Sequence, residues 1–233
     1  MRDSALLLYL VRHGRTHANT DGLLQGWSDT DLTPDGLDGV RATARYLAPV
    51  PFTAAYTSPL GRTRATAHEI LTHHPDVQVS DHAGLKEFSF GDLELLPESA
   101  LFSRVDPVDM FREVFEGTFA GLPGGEPAQV YLDRVTDAFT TIEQRHRGGG
   151  PVLVVSHGVT LMVYLTLHGA VPMQALANAS VTVVAVHPDG RREVRAVGID
   201  PSGHGDDVPD LPQDAAVAGD LAAHDATALT PPA

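Results

Sequence analysis

Two histidines and two arginines stand at strand and helix ends where a phosphoryl group could be held. Arg12-His13-Gly14 follows a short apolar run, Ala5 to Val11, and Ser156-His157-Gly158 follows another, Pro151 to Val155. Short apolar runs that stop at polar residues and a glycine read as buried strands. An open α/β sheet presents the residues just beyond its strands to a ligand crevice. Tyr56-Thr57-Ser58-Pro59-Leu60-Gly61-Arg62 adds a third junction, with an arginine in the first turn of a helix. Helix N-termini attract anions, and guanidinium forks grip anionic oxygens. Taken singly, Arg12-His13 reads as a solvated strand end, His157 as a satisfied buried histidine and Arg62 as a surface residue. Two strand–His–Gly junctions in one chain weaken those readings. Pooled, Arg12, His13, Arg62 and His157 make a pocket for a phosphoryl group.

The elements that must position these residues alternate. Thr33-Pro34-Asp35 has a cap, a proline and an acid in the order that opens a helix, here to about Ala48. Phe52 to Thr57 predicts a second strand. Ser58-Pro59 repeats the cap-then-proline signature and opens a helix to about His73, with His73-His74 as its solvated end. Val77 to Ser80 predicts a third strand, and Asp81 to Pro97 a loop. Residues 98–116 have helical periodicity broken by Pro107. Ala128 to about Arg147 predicts the longest amphipathic helix, with Val130, Val135, Ala138, Phe139 and Ile142 inward. A helix from about Val159 to His168 follows the strand that carries His157. Ser180 to His187 and Arg192 to Gly198 predict a hairpin around Pro188-Asp189-Gly190. Strand–helix alternation of this kind predicts one α/β domain with a largely parallel sheet.

Composition narrows the partners. The 233 residues suffice for one domain with a sizeable core. There is no cysteine, which excludes disulfides, a thiolate nucleophile and cysteine-based metal sites. The formal net charge of −14 argues against nucleic acid and anionic membranes as partners. Half of that charge lies in residues 200–233, which hold seven Asp and no Lys, Arg or Glu. Such a segment cannot bury enough apolar area to order itself, so the domain is expected over residues 1–199 with an acidic, unstructured tail beyond. No apolar run approaches the ~20 residues that span a bilayer, and no signal peptide opens the chain, so a cytoplasmic location is expected. No histidine spacing suggests a metal site.

The motifs together resemble the histidine phosphatase superfamily, also called the phosphoglycerate mutase-like family. Arg12-His13-Gly14-Arg15-Thr16, with Asn19 beyond, is similar to its signature, and residues 58–67 to its second motif. Leu85-Lys86-Glu87 with Gly91 and Glu94 resembles the third, and Ser156-His157-Gly158 the fourth. Pro123-Gly124-Gly125-Glu126 with Arg134 is a weaker fifth match. The resemblance spans roughly residues 6–199. It implies a three-layer α/β/α sandwich on a mostly parallel mixed sheet, with a helical cap inserted at about residues 97–126. It implies His13 as a nucleophile that forms a phosphohistidine, with Arg12, Arg62 and His157 on the non-bridging oxygens. Glu87 would be general acid and then base. Without the motif order, Glu87 reads as a loop carboxylate paired with Lys86. Asn19 would add a neutral donor, with Thr16, Gly14 and Gly158 as further substrate-binding positions.

No metal or other cofactor is implied, because arginines and histidines supply the positive charge. The expected partner is a small phosphorylated substrate, and a homodimer is open. Relatives often carry Trp-Glu-Gly after the third motif's glycine, where this chain has Leu93-Glu94-Leu95. Cofactor-dependent mutases follow the acid with Arg-His-Tyr-Gly, where this chain has Phe88-Ser89-Phe90-Gly91. Hydrolysis of a phosphomonoester is therefore expected ahead of phosphoglycerate mutase activity. A non-catalytic phospho-ligand binding module is the alternative of another class, and the intact His13, His157, Arg12, Arg62 and Glu87 set argues against it. The segment's Leu101, Phe102, Met110, Phe111, Phe115 and Phe119 read as core ahead of a leaving-group pocket.

Overall fold

A computed structural model describes residues 5–169 and 171–203. The strands are β1 (Leu6–Arg12), β2 (Ala54–Thr57), β3 (Val79–Asp81), β4 (Gly150–Ser156), β5 (Val181–Val186) and β6 (Arg192–Ile199). They form one mixed sheet in the order β3-β2-β4-β1-β5-β6. The first four strands in that order run parallel, and β5 and β6 join antiparallel. Arg12 lies in register with Ser156, so His13 and His157 leave the same sheet edge on adjacent strands.

Strand alternation divides the core into two layers. Leu6, Leu8 and Leu10 face one layer with Val152 and Val154. Leu7, Tyr9 and Val11 face the other with Leu153 and Val155. The second layer is covered by α2 (Pro34–Leu47) and α3 (Gly61–Leu71), through Val40, Ala44, Leu47, Ala67 and Ile70. The first is covered by α6 (Ala128–Arg145) and α7 (Gly158–Gly169). Five shorter pieces complete the described part of the domain. They are α1 (His17–Thr20), α4 (Glu98–Phe102), α5 (Pro107–Glu116) and two single 3₁₀ turns, Ala83–Leu85 and Gly91–Leu93. The result is an α/β/α sandwich, and no described helix is long and apolar enough to cross a membrane.

Local expectations were corrected in four places. Ser58 does not cap α3, because the helix starts later, behind Leu60, which makes no side-chain cap. Pro107 opens α5 instead of breaking a longer helix, since Asp106 accepts hydrogen bonds from Val108 N and Asp109 N as its cap. Val130 is 55% exposed, and Tyr131 takes the inward position with Val135, Ala138 and Ile142. That set keeps the four- and three-residue steps of one helical face, which Val130 misses by one residue. His74 is buried with its ring 4.9 Å from Phe52, so only His73 is a solvated helix end.

Fold boundaries moved slightly at the C-terminus. Residues 200–203 make a turn in which the Asp200 carboxylate accepts from Ser202 N, Ser202 Oγ and Gly203 N. The expected unstructured tail beyond them lies outside the described residues.

Candidate active site

His13 is held in one tautomer. Its Nδ1 lies 2.8 Å from the Gly14 carbonyl, a pure acceptor, so Nδ1 carries the proton and donates it. Nε2 is then the lone-pair nitrogen, and it accepts from Arg62 Nε at 3.3 Å. Burial, then Arg62, then Arg12 push the His13 pKa well below the usual histidine value. The imidazole is therefore neutral with its basic nitrogen at the site.

Arg62 is buried at the start of α3 and is fixed by the loop before α2. Its guanidinium donates to Gly26 O at 2.7 Å, Ser28 O at 2.8 Å and Asp29 Oδ1 at 2.7 Å. Asp29 Oδ2 also accepts from Gly61 N at 2.6 Å, so one carboxylate caps the helix and anchors its arginine. Arg12 at the end of β1 donates to Leu176 O. Its Nε is buried and has no partner among the described residues. Burial lowers both arginines below their usual value, countered chiefly by Glu87 at Arg12 and by Asp29 at Arg62. Both remain cations, given how basic a guanidinium is.

His157 stands beside His13 with ring centroids 5.3 Å apart. Its Nε2 meets Ser58 Oγ at 2.8 Å, and its Nδ1 is buried without a partner among the described residues. Burial, Arg62, His13 and Arg12 lower its pKa well below the usual value. Ser58, read from sequence as a helix cap, instead orients this imidazole.

Glu87 reaches the same crevice from the loop after β3 and docks on the N-terminus of α7. Oε1 accepts from Phe88 N at 3.0 Å, Thr160 N at 3.1 Å and Thr160 Oγ1 at 3.0 Å. Oε2 accepts only from Val159 N, at 3.1 Å, which leaves it the freer oxygen. Lys86 does not pair with Glu87. Its ammonium stands 3.0 Å from the centroid of the Trp27 ring, a cation–π contact.

A second set of groups holds the Glu87 loop by its backbone. Arg134 on α6 donates to Gly84 O at 3.0 Å, Lys86 O at 2.7 Å and Glu87 O at 2.7 Å. The same guanidinium forks onto Glu126 at 2.8 and 2.5 Å, and Glu126 Oε1 accepts from Ser89 N at 2.9 Å. Trp27 Nε1 donates to Glu87 O at 2.8 Å. Glu94 accepts from Trp27 N, Ser28 N, Ser28 Oγ, Ser89 Oγ and Phe90 N, joining the loop before α2 to the Glu87 loop.

The four remaining expected positions divide. Asn19 Oδ1 accepts from Thr16 N and from Asn178 Nδ2, each at 3.2 Å. Thr16 is fully buried, and its hydroxyl caps α1 by accepting from Asn19 N. Gly14 admits a helix: a Cβ there would lie 2.5 Å from Val40 Cγ2 on α2. Gly158 opens α7 beside Arg12, where a Cβ would stand 3.3 Å from Arg12 Nε. Sequence reasoning passed over Asp29, Asn178 and Leu176. Asn178 Nδ2 also donates to His13 O at 3.1 Å. None of the three carries a spacing signal, because each acts through backbone placement or one long-range contact.

A cleft of about 440 Å³ opens beside Arg12 and Glu87, walled by α5, α7 and the loop of residues 173–176. The six apolar residues of residues 97–126 separate here. Leu101 and Met110 are core, Phe102 is exposed, and Phe119 packs on the core beside Phe88. Phe111 and Phe115 likewise pack against the core and also line the cleft.

Residues 8–198 match the family model of the histidine phosphatase superfamily, branch 1. The chain is 35% identical over 158 residues to a probable phosphoglycerate mutase GpmB of Serratia proteamaculans, covering 67% of this chain and 71% of that one. Its fold is similar to that of YhfR of Bacillus stearothermophilus, with a TM-score of 0.73, 29% identity, and 83% and 97% of the two chains covered. It is also similar to an Escherichia coli protein described as a candidate alpha-ribazole-5'-P phosphatase, with a TM-score of 0.71, 25% identity, and 83% and 96% coverage. The chain belongs to the histidine phosphatase superfamily and is an enzyme of its phosphoglycerate mutase-like phosphomonoesterase type.

Proposed function

We propose that this enzyme is a metal-independent phosphomonoester hydrolase that acts through a phosphohistidine at His13 on a small phosphorylated metabolite. The observation that carries the reading is the His13 tautomer, with Nδ1–H tied to Gly14 O and the basic Nε2 beside Arg62. In the first step Nε2 attacks phosphorus, the N–P bond forms, and the bond to the leaving oxygen breaks. The Glu87 carboxyl gives its proton to that oxygen through Oε2. In the second step water attacks the phosphohistidine and passes a proton to Glu87. The N–P bond breaks, inorganic phosphate departs, and the sum is ester plus water to alcohol plus phosphate.

Arg12, Arg62 and His157 hold the non-bridging oxygens in this reading. The buried Arg12 Nε and His157 Nδ1 lack protein partners among the described residues, as donors kept for an anionic ligand would. Ser58 Oγ, donating to His157 Nε2, would leave the proton on Nδ1, facing the phosphate. Asn19 adds its amide N–H. Thr16 and Gly14 act by holding the loop, and Gly158 by keeping Arg12 uncovered. No metal takes part, since this set supplies the positive charge.

The test is phosphate release from a panel of phosphomonoesters with EDTA present, with wild type and His13→Ala side by side. Release by wild type alone, with an acid-labile phosphoenzyme trapped at His13, is the expected result. Release by the alanine variant at the wild-type rate would overturn the nucleophile assignment. A second reading, phosphoglycerate mutase, is favoured by the name of the Serratia relative. It would appear as isomerisation of a monophosphoglycerate that depends on a bisphosphorylated primer, without net phosphate release.

A further inference from the structure

The cleft beside Arg12 and Glu87 is built for a leaving group without charge. On α5, Met110 and Val114 form the row that faces the core, both nearly fully buried. Phe111 and Phe115, one residue further round the same helix, form the next row and line the cleft. Met162 and Val163 of α7 and Met173 of the following loop complete the wall. Among the described residues lining this cleft, Arg12 is the one cation, and it lies at the phosphoryl end. A second apolar cavity of about 320 Å³ shares Phe111, Phe115 and Met173 and carries the surface outward past Pro107 and Val108. Its one cation, Arg112, is paired with Asp109 at 2.9 Å.

We propose that the preferred substrates are monoesters of apolar alcohols, alkyl or arylalkyl phosphates, whose hydrocarbon part lies between α5 and α7. The proposal rests on the hydrolase reading above and names its substrate class. A carboxylate or second phosphate on the leaving group would enter this cleft with no cation to meet it, and an unpaired charge leaves water at high cost. A hydrocarbon instead gains by covering the two half-buried phenyl rings and the exposed Met173 thioether. About 440 Å³ lies within the ~300–1,000 Å³ of small-molecule sites.

The experiment compares 2-phenylethyl phosphate, glycerol 1-phosphate and 3-phosphoglycerate. All three are esters of primary alcohols, so leaving-group basicity varies little and the cleft decides the order. Wild type should show kcat/KM for the phenylethyl ester about ten-fold or more above either polar ester. Phe115→Ala should remove about ten-fold of that advantage, mainly through KM, with a distinctly smaller effect on glycerol 1-phosphate hydrolysis. Equal or better turnover of the polar esters, or an equal loss on all three in Phe115→Ala, would overturn the substrate class while leaving the hydrolase reading intact. Competition binding to His13→Ala gives a readout independent of turnover. Tighter binding of the phenylethyl ester than of glycerol 1-phosphate supports the cleft even if hydrolysis fails, and the reverse order overturns it.

Discussion

Arg62 Nε and His13 Nε2 lie 3.3 Å apart, so a permanent cation donates to the nitrogen on which the proposed phosphohistidine would form. Protonating His13 would replace that hydrogen bond with two facing donors. The same arginine, Arg12 and burial all push the His13 pKa down.

The first prediction is a stability profile. His13 and His157 are both depressed well below 6.5 in the folded state. Below about pH 6.5 the unfolded chain takes up protons that the folded chain does not. Their contribution is therefore fully present above that pH and is lost as pH falls toward the folded values. Thermal unfolding from pH 8 to 5 should show a falling midpoint below about pH 6.5, and the fall should be shallower in His13→Ala. NMR titration should find no His13 protonation near 6.5.

Arg62→Lys should lower kcat by roughly 10²–10³-fold, as loss of a preorganised donor does. A single ammonium cannot serve His13, Gly26 O, Ser28 O and Asp29 at once, although it keeps the charge. Steady-state kinetics with circular dichroism checks this. Near-wild-type kcat would mean that charge alone suffices.

Glu87→Gln should cost roughly 10²–10⁴-fold on alkyl phosphates, whose alkoxides need a proton. The loss should be much smaller on an ester with an acidic phenol as leaving group. Rates plotted against leaving-group pKa read the difference, and a uniform loss would remove Glu87 from proton transfer.

Arg134→Ala should act through position. The guanidinium holds the carbonyls of Gly84, Lys86 and Glu87 and forks onto Glu126, so its removal frees the Glu87 loop and strands a buried carboxylate. The expected loss of stability is about 3 kcal/mol. The expected kinetic signature is a fall in kcat with little change in KM, steepest on alkyl esters. Glu126→Gln should keep part of the geometry and fall between.

Leu95→Gly should stabilise the fold by about 1 kcal/mol, because Leu95 sits at φ +61°, where a Cβ is penalised. The side chain is 42% exposed, so little packing is lost. Denaturant unfolding measures the change.

Sequence by itself determined the framework and most of the candidate site. Alternating apolar runs with caps and glycines dictated strands β1 and β4, and the residue after each strand had to emerge at the sheet edge. His13, His157, Arg12 and Arg62 could therefore be named from local pattern, because each sits at a strand or helix terminus that short-range physics places, whereas Glu87 lies in a loop and is named only through the resemblance of its motif. Only the tertiary structure decided what surrounds them. The His13 tautomer, set by the adjacent Gly14 carbonyl, is reinforced by Arg62 from α3, and the direction of His157 depends on Ser58. The Glu87 loop depends on Arg134 from α6, and Asn178 reaches His13 from 165 residues away. Whether Phe111 and Phe115 are core or cleft turns on which face α5 offers to α7, a packing choice made between helices. Local sequence encodes where a side chain leaves the backbone. Its protonation state, its orientation and the space beside it follow from neighbours distant in sequence, which only the closed fold brings together.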